Sequence, residues 1–187
     1  MRCVKELLAD SPVIAAVNNE QGLLRALECD CQVIFLLFGS IVNVESLVKQ
    51  VQDCGKICIV HIDLIEGLSN REVAVDGLLK LSHPDGIIST RAGLIRRAQS
   101  LGVLAIQRAF IIDSMSLKSL MSQVETNQPD FVELLPGIIP NIICELTEKI
   151  NVPIIAGGLI RSKQDVLQAL KAGVIAVSTT SEDVWKM

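Results

Sequence analysis

Two strings near the carboxyl end of the chain carry the clearest chemistry. Ile154-Ile155-Ala156-Gly157-Gly158 closes an apolar run in a double glycine, and Ala176-Val177-Ser178-Thr179-Thr180-Ser181 closes the next one in hydroxyls. Paired glycines let backbone N–H groups approach an anion closely, and small hydroxyl residues ahead of a helix start supply further donors. Gly157, Gly158, Ser178, Thr179 and Thr180 are therefore candidates for a phosphate grip. A second set interrupts other apolar runs: His61 and Asp63, Arg91, Gln107 and Arg108, and Glu133. Such side chains can hydrogen-bond the hydroxyls of a phosphorylated small molecule, or move protons on it.

Other chemistries lack their residues. No lysine stands where an apolar run ends, which argues against a Schiff base, and there is no G-x-S-x-G, Walker or H-E-x-x-H motif. Six cysteines invite a metal or disulfide reading, yet Cys29 and Cys31 (C-x-C) and Cys54 and Cys58 (C-x3-C) have no histidine at a ligand-like distance. Free thiols of a cytoplasmic protein fit better than a metal site, and no cofactor motif is present.

The elements that must position these residues follow a simple alternation. Short β-branched runs occur at Val13–Val17, Val33–Phe38, Ile57–Leu64, Gly86–Thr90, Val103–Phe110, Phe131–Leu135, Pro153–Ala156 and Val174–Ser178. Nearly continuous Val, Ile and Leu is the pattern of parallel strands covered on both faces. Between them lie helical stripes such as Val44, Leu47, Val48 and Val51. Gly55, Gly102 and Gly173 stand where helix C-caps belong, and Ser162 with Asp165 resembles an N-cap pair. Pro84-Asp85 and Pro129-Asp130 each lead into a strand, a weak internal echo.

Eight strands alternating with helices leave a closed (β/α)8 barrel or an open doubly wound sheet. The first strand lacks the G-x-G-x-x-G turn of the open form, so the sequence predicts a compact TIM barrel over residues 1–187, a single domain with phosphate-binding loops after strands seven and eight. In that frame the polar residues gather at the strand carboxyl ends, where barrels build their sites. Alternation turns His61, Asp63 and Glu133 inward. Arg108 alternates with Leu104 and Ile106, which leaves its direction open.

Half of the 187 residues are apolar and a fifth are charged, which excludes disorder. No run is long enough to cross a membrane. The net charge is −4 and aromatics are 3 % of the chain, with no tyrosine. Binding to nucleic acid by bulk charge or by stacking on aromatic platforms is thereby disfavoured.

The strings in order resemble one family. They are His61-Ile62-Asp63-Leu64-Ile65-Glu66-Gly67, Gly86-Ile87-Ile88-Ser89-Thr90-Arg91, Ala105-Ile106-Gln107-Arg108, Glu133-Leu134-Leu135-Pro136-Gly137-Ile138-Ile139-Pro140 and Ala156-Gly157-Gly158-Leu159-Ile160-Arg161, followed by Leu170-Lys171-Ala172-Gly173 and Trp185-Lys186. Together they resemble the glycerol uptake operon antiterminators, glycerol-3-phosphate-responsive regulators of bacteria. The resemblance implies a barrel that uses its phosphate grip for sensing: it binds glycerol 3-phosphate, then a leader mRNA, and catalyses nothing. Arg96 and Arg97 are the expected contribution to an RNA-facing patch, and homo-oligomer formation is left open. The residues alone also leave open an isomerase or epimerase acting on a phosphorylated metabolite, or a metabolite sensor acting through a protein partner.

Overall fold

The computed structural model describes residues 4–187. Eight strands alternate with helices: α1 (Val4–Asp10), β1 (Val13–Val17), α2 (Glu20–Glu28), β2 (Val33–Leu36), α3 (Val44–Asp53), β3 (Ile57–His61), α4 (Val73–Ser82), β4 (Gly86–Ser89) and α5 (Ala92–Ser100). The second half continues with β5 (Leu104–Phe110), α6 (Ser114–Asn127), β6 (Phe131–Leu135), α7 (Pro140–Lys149), β7 (Ile154–Gly157), α8 (Lys163–Lys171), β8 (Ala176–Thr179) and α9 (Glu182–Trp185). Each strand pairs in parallel with the next, and β8 pairs back onto β1 through Ile14 and Ser178, closing a (β/α)8 barrel. The strand after α3 is shorter than the sequence predicts. It ends at His61, and Ile62–Leu64 form a 3-10 turn that breaks the alternation.

Burial on both faces explains the β-branched runs. Ile14, Phe35, Ile59, Ile88, Phe131 and Ile155 point into the barrel and fill it with an apolar cluster. Their neighbours Ala15, Ile34, Cys58, Val60 and Ile87 point outward and pack against helices, for example Val48 and Val51 of α3. At the amino ends of the strands Leu8 of α1 joins the inner cluster, only 2 % exposed, and closes that end.

Local signals in the sequence have structural counterparts. Gly55, Gly102 and Gly173 all have positive φ, and Ser162 with Asp165 forms a reciprocal capping box on α8. The Pro-Asp echo is a repeated clamp. Asp85 accepts from the Cys58 N–H at 2.8 Å while its own N–H donates to the Cys58 carbonyl at 3.0 Å. Asp130 does the same to Ala105, at 2.8 and 3.0 Å. Each clamp satisfies backbone groups of the second residue of the preceding strand.

Candidate functional site

At the carboxyl ends of the strands the barrel interior changes from apolar to polar. Two residues beyond Ile59, on the same face, stands His61; likewise beyond Ile106 and Phe131 stand Arg108 and Glu133, and beyond Ala176 stands Ser178. Parallel register puts Arg108 beside Glu133 and Gly157 beside Ser178. Above this layer opens a cavity of about 490 Å³ lined by Ala16, Leu37, Arg108, Glu133, Gly158, Arg161 and Ser178 through Ser181. Arg108 lies on the inward face, because Leu104 and Ile106 themselves face the barrel interior.

Glu133 is the centre of the layer. Its side chain is 3 % exposed, Oε1 accepts a short hydrogen bond from the Ser178 hydroxyl, and Oε2 lies 3.1 Å from Arg108 Nε. That ion pair lacks hydrogen-bond alignment, so Glu133 Oε2 and Arg108 Nε both remain buried atoms without a hydrogen-bond partner, as does His61 Nδ1. Burial raises the Glu133 carboxyl above the usual carboxylate range, against the pull of the Arg108 charge and the Ser178 hydroxyl. Burial and the nearby Arg108 charge lower His61 to about 4, so its imidazole is neutral at pH 7.

Gly157 keeps this layer possible. A Cβ there would meet Glu133 Oε1 at 2.6 Å and Ser178 Oγ at 2.8 Å. Gly158 serves differently: its φ of +72° turns the chain where other residues are strained. The following loops are braced. Thr179 Oγ1 donates to the Ile160 carbonyl at 2.6 Å and accepts from the Ser181 N–H at 3.0 Å, joining the end of β8 to the loop after β7. The Thr179 carbonyl accepts from the buried Trp185 indole at 2.8 Å. Thr180 and Gly158 line the cavity, while the helix after β8 is a single turn of four residues.

The remaining expected residues are drawn elsewhere. Asp63, on the 3-10 turn, accepts from Ser89 Oγ at 2.9 and 3.0 Å, from the Thr90 N–H at 2.8 Å and from Thr90 Oγ1 at 3.1 Å. Arg91 Nε lies 3.5 Å from its other side, half exposed, over a shallow depression with Asn70 and Arg71 rather than the cavity. Asp63 thus holds the turn from β4 into α5. Gln107 is 1 % exposed and shares the helix-facing side of β5 with Ala105; its amide donates to the Thr90 carbonyl at 3.3 Å. Arg96 donates to Asn127 on α6 at 2.9 Å, and Arg97 grips Asp76 on α4 with two nitrogens. Sequence reasoning missed Arg161 and Leu37 as lining residues. Arg161, three residues beyond Gly158, was legible as a cation beside a candidate phosphate grip; Leu37 gave no signal.

Among the described residues no three metal-ligating side chains cluster, all five cysteines are free, and no helix is long and apolar enough to cross a membrane.

Comparisons with known proteins agree with one another. Residues 13–185 match the family described as glycerol-3-phosphate responsive antiterminator. The uncharacterized protein YgcP of Escherichia coli (strain K12) is 42 % identical over 181 residues, 97 % of this chain and 95 % of its own. A crystal structure of the glycerol uptake operon antiterminator regulatory protein from Listeria monocytogenes superposes with a TM-score of 0.91 at 39 % identity, covering 94 % of this chain and 95 % of that one. A glycerol uptake operon antiterminator-related protein from Thermotoga maritima gives 0.84 at 31 % identity, covering 94 % and 98 %. A family match over nearly the whole barrel, with relatives this similar along their own full length, places the chain: it belongs to the glycerol-3-phosphate responsive antiterminator family.

Proposed function

We propose that this protein is a cytoplasmic sensor that binds glycerol 3-phosphate in the barrel mouth and, once loaded, binds a leader mRNA to prevent premature termination of glycerol-metabolism transcripts. The observation that carries the reading is the mouth cavity itself, which joins Gly158, Thr180 and Arg161 at its rim to a buried polar layer at its floor. In this reading the phosphate sits against the Gly157-Gly158 and Ser178-Thr179-Thr180 segments, where small residues admit it, and Arg161 supplies a positive charge. The three-carbon end points inward. In this reading the protein senses rather than turns over: a buried carboxyl is at hand, but among the described residues no lysine lines the cavity with it.

Leader-RNA binding measured with and without glycerol 3-phosphate, at stated salt, tests the reading, because salt governs any phosphate-backbone affinity. Ligand-dependent RNA binding supports it. Ligand binding with no effect on RNA moves the output to a protein partner, and steady turnover of the ligand makes the protein an enzyme.

A further inference from the structure

The floor of the cavity holds atoms that want a particular ligand group. Arg108 Nε–H is a donor and Glu133 Oε2 an acceptor, 3.1 Å apart, and each is buried without a hydrogen-bond partner. Groups like these are expensive to leave unsatisfied, so their persistence beside a cavity points to a missing polar partner. Oε1 is already held by Ser178, which fixes the carboxylate plane and leaves Oε2 as the oxygen turned toward Arg108. Gly157 leaves room for that Ser178–Glu133 hydrogen bond, since a Cβ there would stand 2.6 Å from Glu133 Oε1 and 2.8 Å from Ser178 Oγ.

We infer that the Arg108–Glu133 pair is a specificity device that reads an alcohol carbon on the ligand, in preference to a methylene or a carbonyl. A hydroxyl both donates and accepts, so one group satisfies Glu133 Oε2 and Arg108 Nε together. A methylene satisfies neither. A carbonyl oxygen accepts from Arg108 but sets its lone pairs against the Glu133 carboxylate. The hydroxyl read is the one on the middle carbon, so the ligand class is a small phosphate monoester with a secondary alcohol there, and among three-carbon phosphates the reduced form over the ketone, whose one hydroxyl is on the terminal carbon. Sites built to hydrogen-bond a hydroxyl reject analogues lacking it far more strongly than apolar pockets reject a methylene.

This inference rests on the sensor reading above, and the same titrations separate the two. Calorimetry on the intact protein compares glycerol 3-phosphate, propyl phosphate, dihydroxyacetone phosphate and inorganic phosphate. Propyl phosphate is expected to bind about 100-fold more weakly than glycerol 3-phosphate, and dihydroxyacetone phosphate at least about 10-fold more weakly. If either analogue matches glycerol 3-phosphate, the alcohol-reading role falls while the sensor reading stands. If glycerol 3-phosphate binds no better than inorganic phosphate, both fall. A Glu133→Gln variant adds a second readout. Its amide can turn an N–H toward a carbonyl while still accepting from Ser178, so the preference for glycerol 3-phosphate over dihydroxyacetone phosphate should shrink several-fold. An undiminished preference would remove Glu133 from the device.

Discussion

Cys29 and His61 show how single environments set single protons. The Cys29 thiol is lowered to about 6, chiefly by its hydrogen bond with Cys31 and also by the Lys56 charge, against the opposing effect of burial. Lys56 is itself anchored under it, Nζ donating to the Cys31 carbonyl at 2.9 Å. Part-exposed and with its thiol shifted toward ionisation, Cys29 should be alkylated by iodoacetamide faster than Cys54 and Cys144, although both of those are exposed. Peptide mapping of a brief labelling reaction checks this, and equal rates at the three sites would refute it. At His61 the imidazole falls from the ordinary 6.5 to about 4 in the fold. Below pH 6.5 the unfolded chain therefore takes up a proton that the folded one refuses. Stability from this site is whole above pH 6.5 and drains away as pH falls toward 4, by about 3 kcal/mol at most. Urea midpoints measured from pH 7 to 4 should trace that decline, and a His61→Asn variant should flatten it.

The strands and loops determine which side chains meet, and here the sequence was legible in parts. The barrel could be read because parallel strands covered on both faces leave an apolar run that nothing else in a chain of this composition produces. Glu133 could be read because β6 stays regular past it. Asp63 could not: the chain leaves the strand at His61, and parity has no meaning on a 3-10 turn. Arg108 was ambiguous, and Gln107 was wrongly counted among the pocket residues, for another reason. Both faces of β5 are apolar, Ile106 inside and Ala105 outside, so hydrophobicity alone cannot say which neighbour looks inward. The loop after β7 is where a small change should cost most. Gly157→Ala puts a methyl 2.6 Å from Glu133 Oε1, so we expect loss of ligand binding together with about 1–3 kcal/mol of destabilisation, read by calorimetry and denaturant melts. Helix α5 makes a different prediction. Because Arg96 and Arg97 tie it to α6 and α4, reversing both charges should lower the melting temperature, and any RNA effect of that variant must be scored below that temperature.

Across the whole molecule the inner cluster separates a sealed end from an open one. Truncating Leu8 to Ala should cost about 2–5 kcal/mol of stability, as buried leucines do, and leave ligand affinity nearly unchanged, since the polar layer lies at the opposite end of the strands. Thermal melts with and without glycerol 3-phosphate would show a common downward shift; a lost ligand response would mean the two ends are coupled. The sealed end also imposes an order on events in time. With the barrel packed solid below, a small molecule in the mouth has one doorway. Any macromolecule that settles over that doorway arrives after the guest and must depart before it. The dwell time of labelled glycerol 3-phosphate is therefore a map: if RNA lengthens it, the RNA sits on the mouth, and if the off-rate is indifferent to RNA, the contact surface is on the barrel's flank.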